Sequence, residues 1–305
     1  MTEQNKASLL KRARAKFLSY SLSNRLLASN PDSHLTRSYE RSTYCTSVLL
    51  QTGQKLTATY CKNRWCAVCN RIRTATLING YEPALKQLES PYFVTLTKQT
   101  VTVSNLPKSI EFMAQVWRRV VNGREGRRRK IKGVRKAECT VRPNGQYHYH
   151  FHVIVDGLVN AEWLVSEWLK AMGSLADRRA QDTRRADEKS LKELFKYFTK
   201  LTAKDKNELI DYKRMDVIFN ALRGKRVYQP FGGVRPVSEE IEEIQTETYD
   251  FLESYEQAWN WDVNDWLNEA GECLTGYQPN ERFIALFEPK ILVETETSSA
   301  RGDNL

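Results

Sequence analysis

One run of eight residues constrains this chain more than any other: His148-Tyr149-His150-Phe151-His152-Val153-Ile154-Val155. Histidines alternating with aromatic and β-branched residues read as a β-strand, whose successive side chains point to opposite faces. His148, His150 and His152 then share one face, and Tyr149, Phe151 and Val153 take the other. Such a strand needs an apolar core on one side and a use for imidazoles on the other. Three of the chain's four histidines fall within these five residues. A lone histidine would suit a satisfied polar face, but three in register point to a metal.

The segment before the run strengthens this reading. Residues 134–141 form a second strand, and Arg142-Pro143-Asn144-Gly145-Gln146 between them is a hairpin signal. The hairpin brings up a carboxylate, Glu138. A three-residue loop at 144–146 sets Glu138 opposite His152 and Thr140 opposite His150. A two-residue Asn144-Gly145 turn sends Glu138 to the Phe151 face instead. Spacing leaves both registers open. In the first, His150, His152 and Glu138 make a three-ligand site with open positions, suited to Mg2+ or Mn2+, with His148 as an additional ligand. A cation there would polarise a phosphoryl oxygen.

Around the hairpin the pattern predicts a strand over 92–97 and strand-like pieces at 45–50 and 55–60. Helices are predicted over 72–88, 106–121, 161–171, 188–201 and 206–222. Leu9, Leu10, Ala13, Phe17 and Leu18 recur at helical spacing, giving one or two basic helices over 3–29. Strands and helices alternate, but the hairpin demands an antiparallel pair. The expected class is therefore α+β, an antiparallel central sheet with packed helices, rather than a doubly wound parallel sheet. Breaks in pattern divide the 305 residues into a basic helical segment (1–44), a zinc ribbon (45–75), a catalytic domain (76–237) and an acidic region (238–305). The last contains Trp259, Trp261, Trp266 and a strand-like stretch at 283–287, and no architecture reads from it.

The ribbon rests on Cys45 and on Cys61-x4-Cys66-x2-Cys69, four thiolates able to close a tetrahedron around structural Zn2+. His34 is the substitute fourth ligand should Cys45 not reach. Arg64, Trp65, Arg71 and Arg73 would present basic and aromatic groups to a nucleic acid, while Cys139 and Cys273 read as small hydrophobes. Clustered cysteines suit a reduced compartment. The opening MTEQNKASLLKRARAKF lacks the apolar core of a secretory signal, and no run of about 18 apolar residues exists. The expectation is a cytoplasmic protein without a membrane partner.

Residues 1–237 carry 44 Lys and Arg against 20 Asp and Glu, and residues 238–305 carry 3 against 17. A body of net +24 attracts a polyanion, most simply a phosphate backbone. A nucleophile could come from the 188–201 helix. There Glu193, Tyr197 and Lys200 line one face, apart from the apolar stripe of Leu191, Leu194, Phe195, Phe198 and Leu201. A tyrosine flanked by a carboxylate and a cation could attack phosphorus, with Lys200 steadying the phenolate or the phosphate.

Taken in order along roughly residues 45–237, these motifs resemble the HUH endonucleases, specifically the single-tyrosine replication initiators of rolling-circle plasmids. Residues 61–69 are similar to that family's cysteine knuckle, and Phe93-Val94-Thr95-Leu96-Thr97 to its first motif. Glu138-Cys139-Thr140 with 148–155 resembles its metal-binding second motif, and Glu193-x3-Tyr197-x2-Lys200 its third. Ala221 to Arg226 through Gly232-Gly233 is similar to the segment that closes the family's domain. Tyr149 and Ala67 stand where proline is common in the family, and neither is a reactive position. The resemblance implies an HUH domain with a ferredoxin/RRM-like core over 76–237. It implies a metal held by His150, His152 and Glu138, and a Tyr197 that nicks origin DNA to leave a 5′-phosphotyrosine and a free 3′-OH. Glu193 would activate water when replication terminates, or shape the surroundings of the tyrosine. The implied partners are origin DNA, recognised as duplex and cut as a single strand, and the host helicase and replication machinery. Three other readings stand. A relaxase or single-strand transposase shares the chemistry. A histidine-triad nucleotide hydrolase would use His150 itself as nucleophile. A zinc-ribbon DNA-binding protein would have no catalysis.

Overall fold

The histidine-bearing run is the central strand of a five-stranded, wholly antiparallel sheet. The structure, a computed structural model, describes residues 3–52, 55–195, 211–236, 256–285 and 287. The chain opens with α1 (Glu3–Ser29), α2 (Thr36–Thr43), β1 (Val48–Thr52), β2 (Lys55–Ala58), α3 (Ala67–Lys86) and β3 (Pro91–Thr97). Next come α4 (Leu106–Asn122), α5 (Arg124–Arg128), the hairpin of β4 (Gly133–Val141) and β5 (Tyr147–Asp156), and α6 (Leu158–Met172). Then follow β6 (Asp182–Arg185), α7 (Glu188–Phe195), α8 (Tyr212–Ala221), β7 (Tyr228–Phe231), β8 (Glu256–Asn260), β9 (Asp265–Leu267) and α9 (Glu281–Ala285). The α+β expectation holds. The basic N-terminal segment, read as one or two helices, is a single helix to Ser29. Among the described residues no helix is long and apolar enough to cross a membrane.

The sheet order is β6-β3-β5-β4-β7, so the hairpin and β3 form its middle. Alternation along β5 decides what each face becomes. Tyr149, Phe151, Val153 and Val155 join one core with Ile110, Met113 and Trp117 of α4 and Leu164, Val165 and Trp168 of α6. Phe151, fully buried, meets Trp117 and Trp168 edge-on at 5.9 and 5.6 Å between ring centres. Edge-to-face pairs of this kind contribute roughly 0.5–1.5 kcal/mol beyond the area they bury. On the opposite face Phe93, Val134 and Ile154 pack under Tyr81 and Leu85 of α3, Leu88 just beyond it, and Leu194 of α7. The rest of that face carries the histidines.

The hairpin register differs from both sequence readings. Arg142 and Gln146 close a loop of Pro143-Asn144-Gly145, with the Arg142 amide donating to the Gln146 carbonyl at 2.9 Å. Glu138 therefore lies opposite His150, Thr140 opposite His148, and Lys136 opposite His152. The loop begins one residue earlier than the three-residue reading placed it, which slides each pair by two positions. A shift of two preserves the face, so Glu138 still stands beside the imidazoles. Gly145 at φ +79° supplies the left-handed residue that such a loop needs.

Two edge strands escaped the pattern. The first, β6, reads Asp-Thr-Arg-Arg and shows no apolar alternation, and β7 contains Pro230. Both sit at edges, where a proline or a charged strand is tolerated because one side needs no ladder partner. A second sheet, ordered β2-β1-β8-β9, is completed by strands from the acidic region. Trp266 is fully buried there, and its indole donates to the Thr46 carbonyl at 2.9 Å. Within the strand-like stretch at 283–287, residues 283–285 belong instead to the short helix α9. A brief apolar run has no period long enough to separate the two.

Candidate metal centre

On the open half of the sheet face, β5 and β4 bring three ligand atoms to one point. The His150 and His152 Nε2 atoms lie 3.2 Å apart, and a Glu138 carboxylate oxygen sits 3.6 Å from the His152 Nε2. One ligand atom from each of the three residues lies within 4.8 Å of the others, close enough to share a single cation with bonds of about 2.0–2.6 Å. The outer nitrogens are held from behind. The Nδ1 of His150 is 3.1 Å from the His148 carbonyl, and that of His152 is 3.2 Å from Thr95 Oγ1 on β3. Anchoring one ring nitrogen leaves the other aimed at the shared point.

Electrostatics favour the metal-binding forms. Burial first, then the neighbouring His152, pushes His150 down to about 4. It is neutral at physiological pH, as a ligand must be. Burial works against ionisation of Glu138, but Lys136 and the two imidazoles outweigh it and hold the carboxyl at about 2. An anionic oxygen beside imidazole nitrogens is a donor set for a small divalent cation.

His148 stands next to this group without joining it. Its ring stacks on His150 at 4.8 Å, and its Nδ1 faces the Arg142 guanidinium at 3.1 Å. Burial, His150 and Arg142 together push it down to about 3. Sequence reading overlooked Lys136. It is buried, and its ammonium donates to the Glu138 Oε2 at 3.0 Å and to the backbone carbonyl of Glu193 at 3.3 Å. The parity of the strand held a signal, since residue 136 is two before Glu138 and so shares its face. That the lysine is buried is settled only by α7 packing over it. The Glu193 side chain is half-buried near the end of the described part of α7, and Tyr197 and Lys200 lie outside the described residues.

The four cysteines form a second group. The Cys45 and Cys61 sulfurs lie 3.5 and 3.6 Å from Cys69, and all four sulfurs fall within 4.8 Å of one another. These separations are far beyond a disulfide bond of about 2.05 Å. They are close to the ~3.8 Å that thiolates bound at about 2.3 Å span around tetrahedral zinc. Cys45 fills the fourth place, and His34 is exposed elsewhere. Ser19 donates to the Cys66 sulfur at 3.1 Å, and the Cys61 and Asn63 amides lie 3.5 Å from the Cys45 and Cys61 sulfurs. The fully buried Lys16 of α1 sits beside the cluster. It uses all three donors at 2.8 Å, on the Thr43 and Cys45 carbonyls and Ser47 Oγ. Burial pushes Lys16 down to about 8, and the nearby thiols oppose that shift.

Comparison with known proteins bears on the same stretch. Residues 53–171 match the family model described as a replication protein, Rep_1. That span includes Cys61, Cys66, Cys69 and the whole histidine hairpin, and it ends before Glu193. A curated relative, "Protein rep" of Lentilactobacillus hilgardii, is 28% identical over 102 residues, covering 32% of this chain and 32% of the relative. The chain thus matches about a third of that protein's length. No solved structure matches. Through the segment that carries the cysteine knuckle and the histidine hairpin, this chain is similar to replication proteins.

Proposed function

We propose that this chain initiates rolling-circle replication of a plasmid, as an HUH endonuclease that nicks its origin. The observation that carries the reading is the approach of His150, His152 and Glu138 to one point on the sheet, inside the stretch that resembles a replication protein. These three residues would hold Mg2+ or Mn2+. Such an ion, when bound, withdraws charge from the scissile phosphate. Cys45, Cys61, Cys66 and Cys69 would hold Zn2+ as a structural ion.

Tyr197 is the proposed nucleophile. Its phenolic oxygen bonds to phosphorus as the bond from phosphorus to the 3′ oxygen breaks, and the phenol's proton is passed on so that the strand leaves as a 3′-OH. A 5′-phosphotyrosine remains. Lys200 steadies the charge, and Glu193 activates water at termination or shapes the tyrosine's surroundings. A basic body of net +24 over residues 1–237 suits a single strand extruded from the origin duplex. A host helicase would extend the opening.

The test is a covalent trap. Incubation with an origin oligonucleotide and Mn2+ should give an adduct that mass spectrometry maps to Tyr197. Tyr197→Phe should abolish nicking while leaving DNA binding within about twofold. Nicking that survives in Tyr197→Phe removes the nucleophile assignment. A metal-independent nucleotide adduct on His150 would replace the whole reading with a histidine-triad hydrolase.

A further inference from the structure

Lys136 joins two parts of the site. One is the proposed metal carboxylate, through Glu138 Oε2 at 3.0 Å, and the other is the α7 backbone, through the Glu193 carbonyl at 3.3 Å. The carboxylate oxygen it holds is the one that lies 3.6 Å from the His152 Nε2. The side chain is 6% exposed, so water barely competes for these bonds. Its strand position is equally fixed, directly opposite His152 in the β4–β5 ladder. An ammonium is a point donor with three hydrogens, able to serve both acceptors at once.

The second contact fixes the backbone of Glu193, which lies four residues before Tyr197 in the chain. Whatever moves the Glu193 backbone shifts the origin from which the chain proceeds to Tyr197, and misplacement of a reacting group by about 1 Å can cost on the order of 100-fold in rate.

We propose that Lys136 is a positioning residue that couples metal occupancy at Glu138 to the placement of α7. A cation on Glu138, His150 and His152 holds the carboxylate still, the carboxylate orients the ammonium, and the ammonium fastens the Glu193 carbonyl. This inference rests on the nicking reading only for its kinetic consequence. The mechanical link stands on contacts among described residues.

The experiment uses the full, zinc-loaded chain and two variants. Lys136→Met keeps the length and removes the donor, and Lys136→Arg keeps charge and donors. Removing one partner of a buried pair is destabilising, so the folding of Lys136→Met is checked first by circular dichroism. Amide hydrogen exchange across 188–195 is followed with and without Mn2+. In the parent chain Mn2+ should slow exchange in α7 about fivefold or more. In Lys136→Met exchange should be faster, and Mn2+ should no longer change it although Mn2+ still binds by electron paramagnetic resonance. Lys136→Arg should retain part of the response. Nicking of a single-stranded oligonucleotide by Lys136→Met should fall at least about tenfold in kcat with KM within about threefold, because ground-state binding is untouched.

Protection of α7 that responds to Mn2+ equally in the parent and in Lys136→Met overturns the proposal. Should Lys136→Met not fold, an absence of any Mn2+ effect on α7 exchange in the parent chain overturns it as well. A chain that never nicks but shows the Lys136-dependent exchange response keeps the link and loses the nuclease reading. Normal nicking by Lys136→Met overturns the kinetic consequence of the link and leaves the nuclease reading in place.

Discussion

Two buried lysines carry positive charge to the places where carboxylate and thiols gather. Lys16 spends its three donors on Thr43, Cys45 and Ser47, so removing it strips two buried carbonyls of a partner. Lys16→Met should lower stability by roughly 3 kcal/mol in urea unfolding and expose the cluster thiols to a thiol reagent at lower denaturant. An unchanged midpoint would remove Lys16 from the cluster's support. At the other centre, His150→Ala should weaken Mn2+ binding at least about tenfold, measured by titration, since one of three donors is lost. Acid should act on the same residues. Burial and neighbouring charge hold His150 down to about 4 and His148 to about 3 in the folded chain, against 6.5 for an ordinary imidazole. Below 6.5 the unfolded chain binds more protons than the folded one, so this contribution is complete above 6.5 and is lost as pH falls towards 4. In zinc-loaded protein without Mg2+ or Mn2+, stability should drop by roughly 5 kcal/mol, about half from each imidazole, between about pH 7 and pH 4.5. A flat profile of urea midpoints would contradict the depressed imidazoles. At this scale the candidate ligands were legible, because His150, His152 and Glu138, which meet at one point, announce themselves by residue type. Both lysines were not, because a lysine signals surface until packing shows otherwise.

The hairpin is the element on which the centre depends. Its strand pattern and its loop were readable from alternation and from Asn144-Gly145, but its register was not. The choice of Pro143 to Gly145 as the loop rests on the closing bond from the Arg142 amide to the Gln146 carbonyl and on Gly145 at φ +79°. Gly145→Ala should cost about 1 kcal/mol through the strained backbone alone, leaving Mn2+ binding in place. Gly133, at the other end of β4, is less forgiving. A Cβ there would lie 1.9 Å from the Ile154 carbonyl oxygen and 2.9 Å from the Phe231 ring. Gly133→Ala should destabilise by about 3 kcal/mol or more in the same unfolding assay, because backbone has to move. Equal costs for the two alanine variants would mean that the strand spacing yields more easily than the structure indicates. The edge strands β6 and β7 were invisible for a related reason. Pairing along one side only places few demands on composition, so Arg184, Arg185 and Pro230 can lie in strands.

Across the whole molecule the cysteine cluster gathers segments that are far apart in the chain. Lys16 of α1, Cys45 beyond α2 and Cys69 within α3 meet there, and β1 beside it pairs with β8 from the acidic region. Removal of zinc with a strong chelator should therefore unfold this side of the molecule and make four more thiols reactive. Trp117 and Trp168 sit where α4 and α6 pack on the five-stranded sheet, in a core that continues to Leu49, Trp65 and Trp266, and their near-ultraviolet circular dichroism should survive the treatment. Loss of that signal together with the zinc would show one cooperative unit instead of two. What the sequence determined unaided was chemical type and local period: alternation that sets three imidazoles on one face, four thiols at metal spacing, and an α+β class. Only the tertiary structure decided which partners met. Register, the burial of Lys16 and Lys136, and the pairing of β1 with a strand some 200 residues away depend on which surfaces exclude water together. That is a property of the packed chain, and no short stretch of residues contains it.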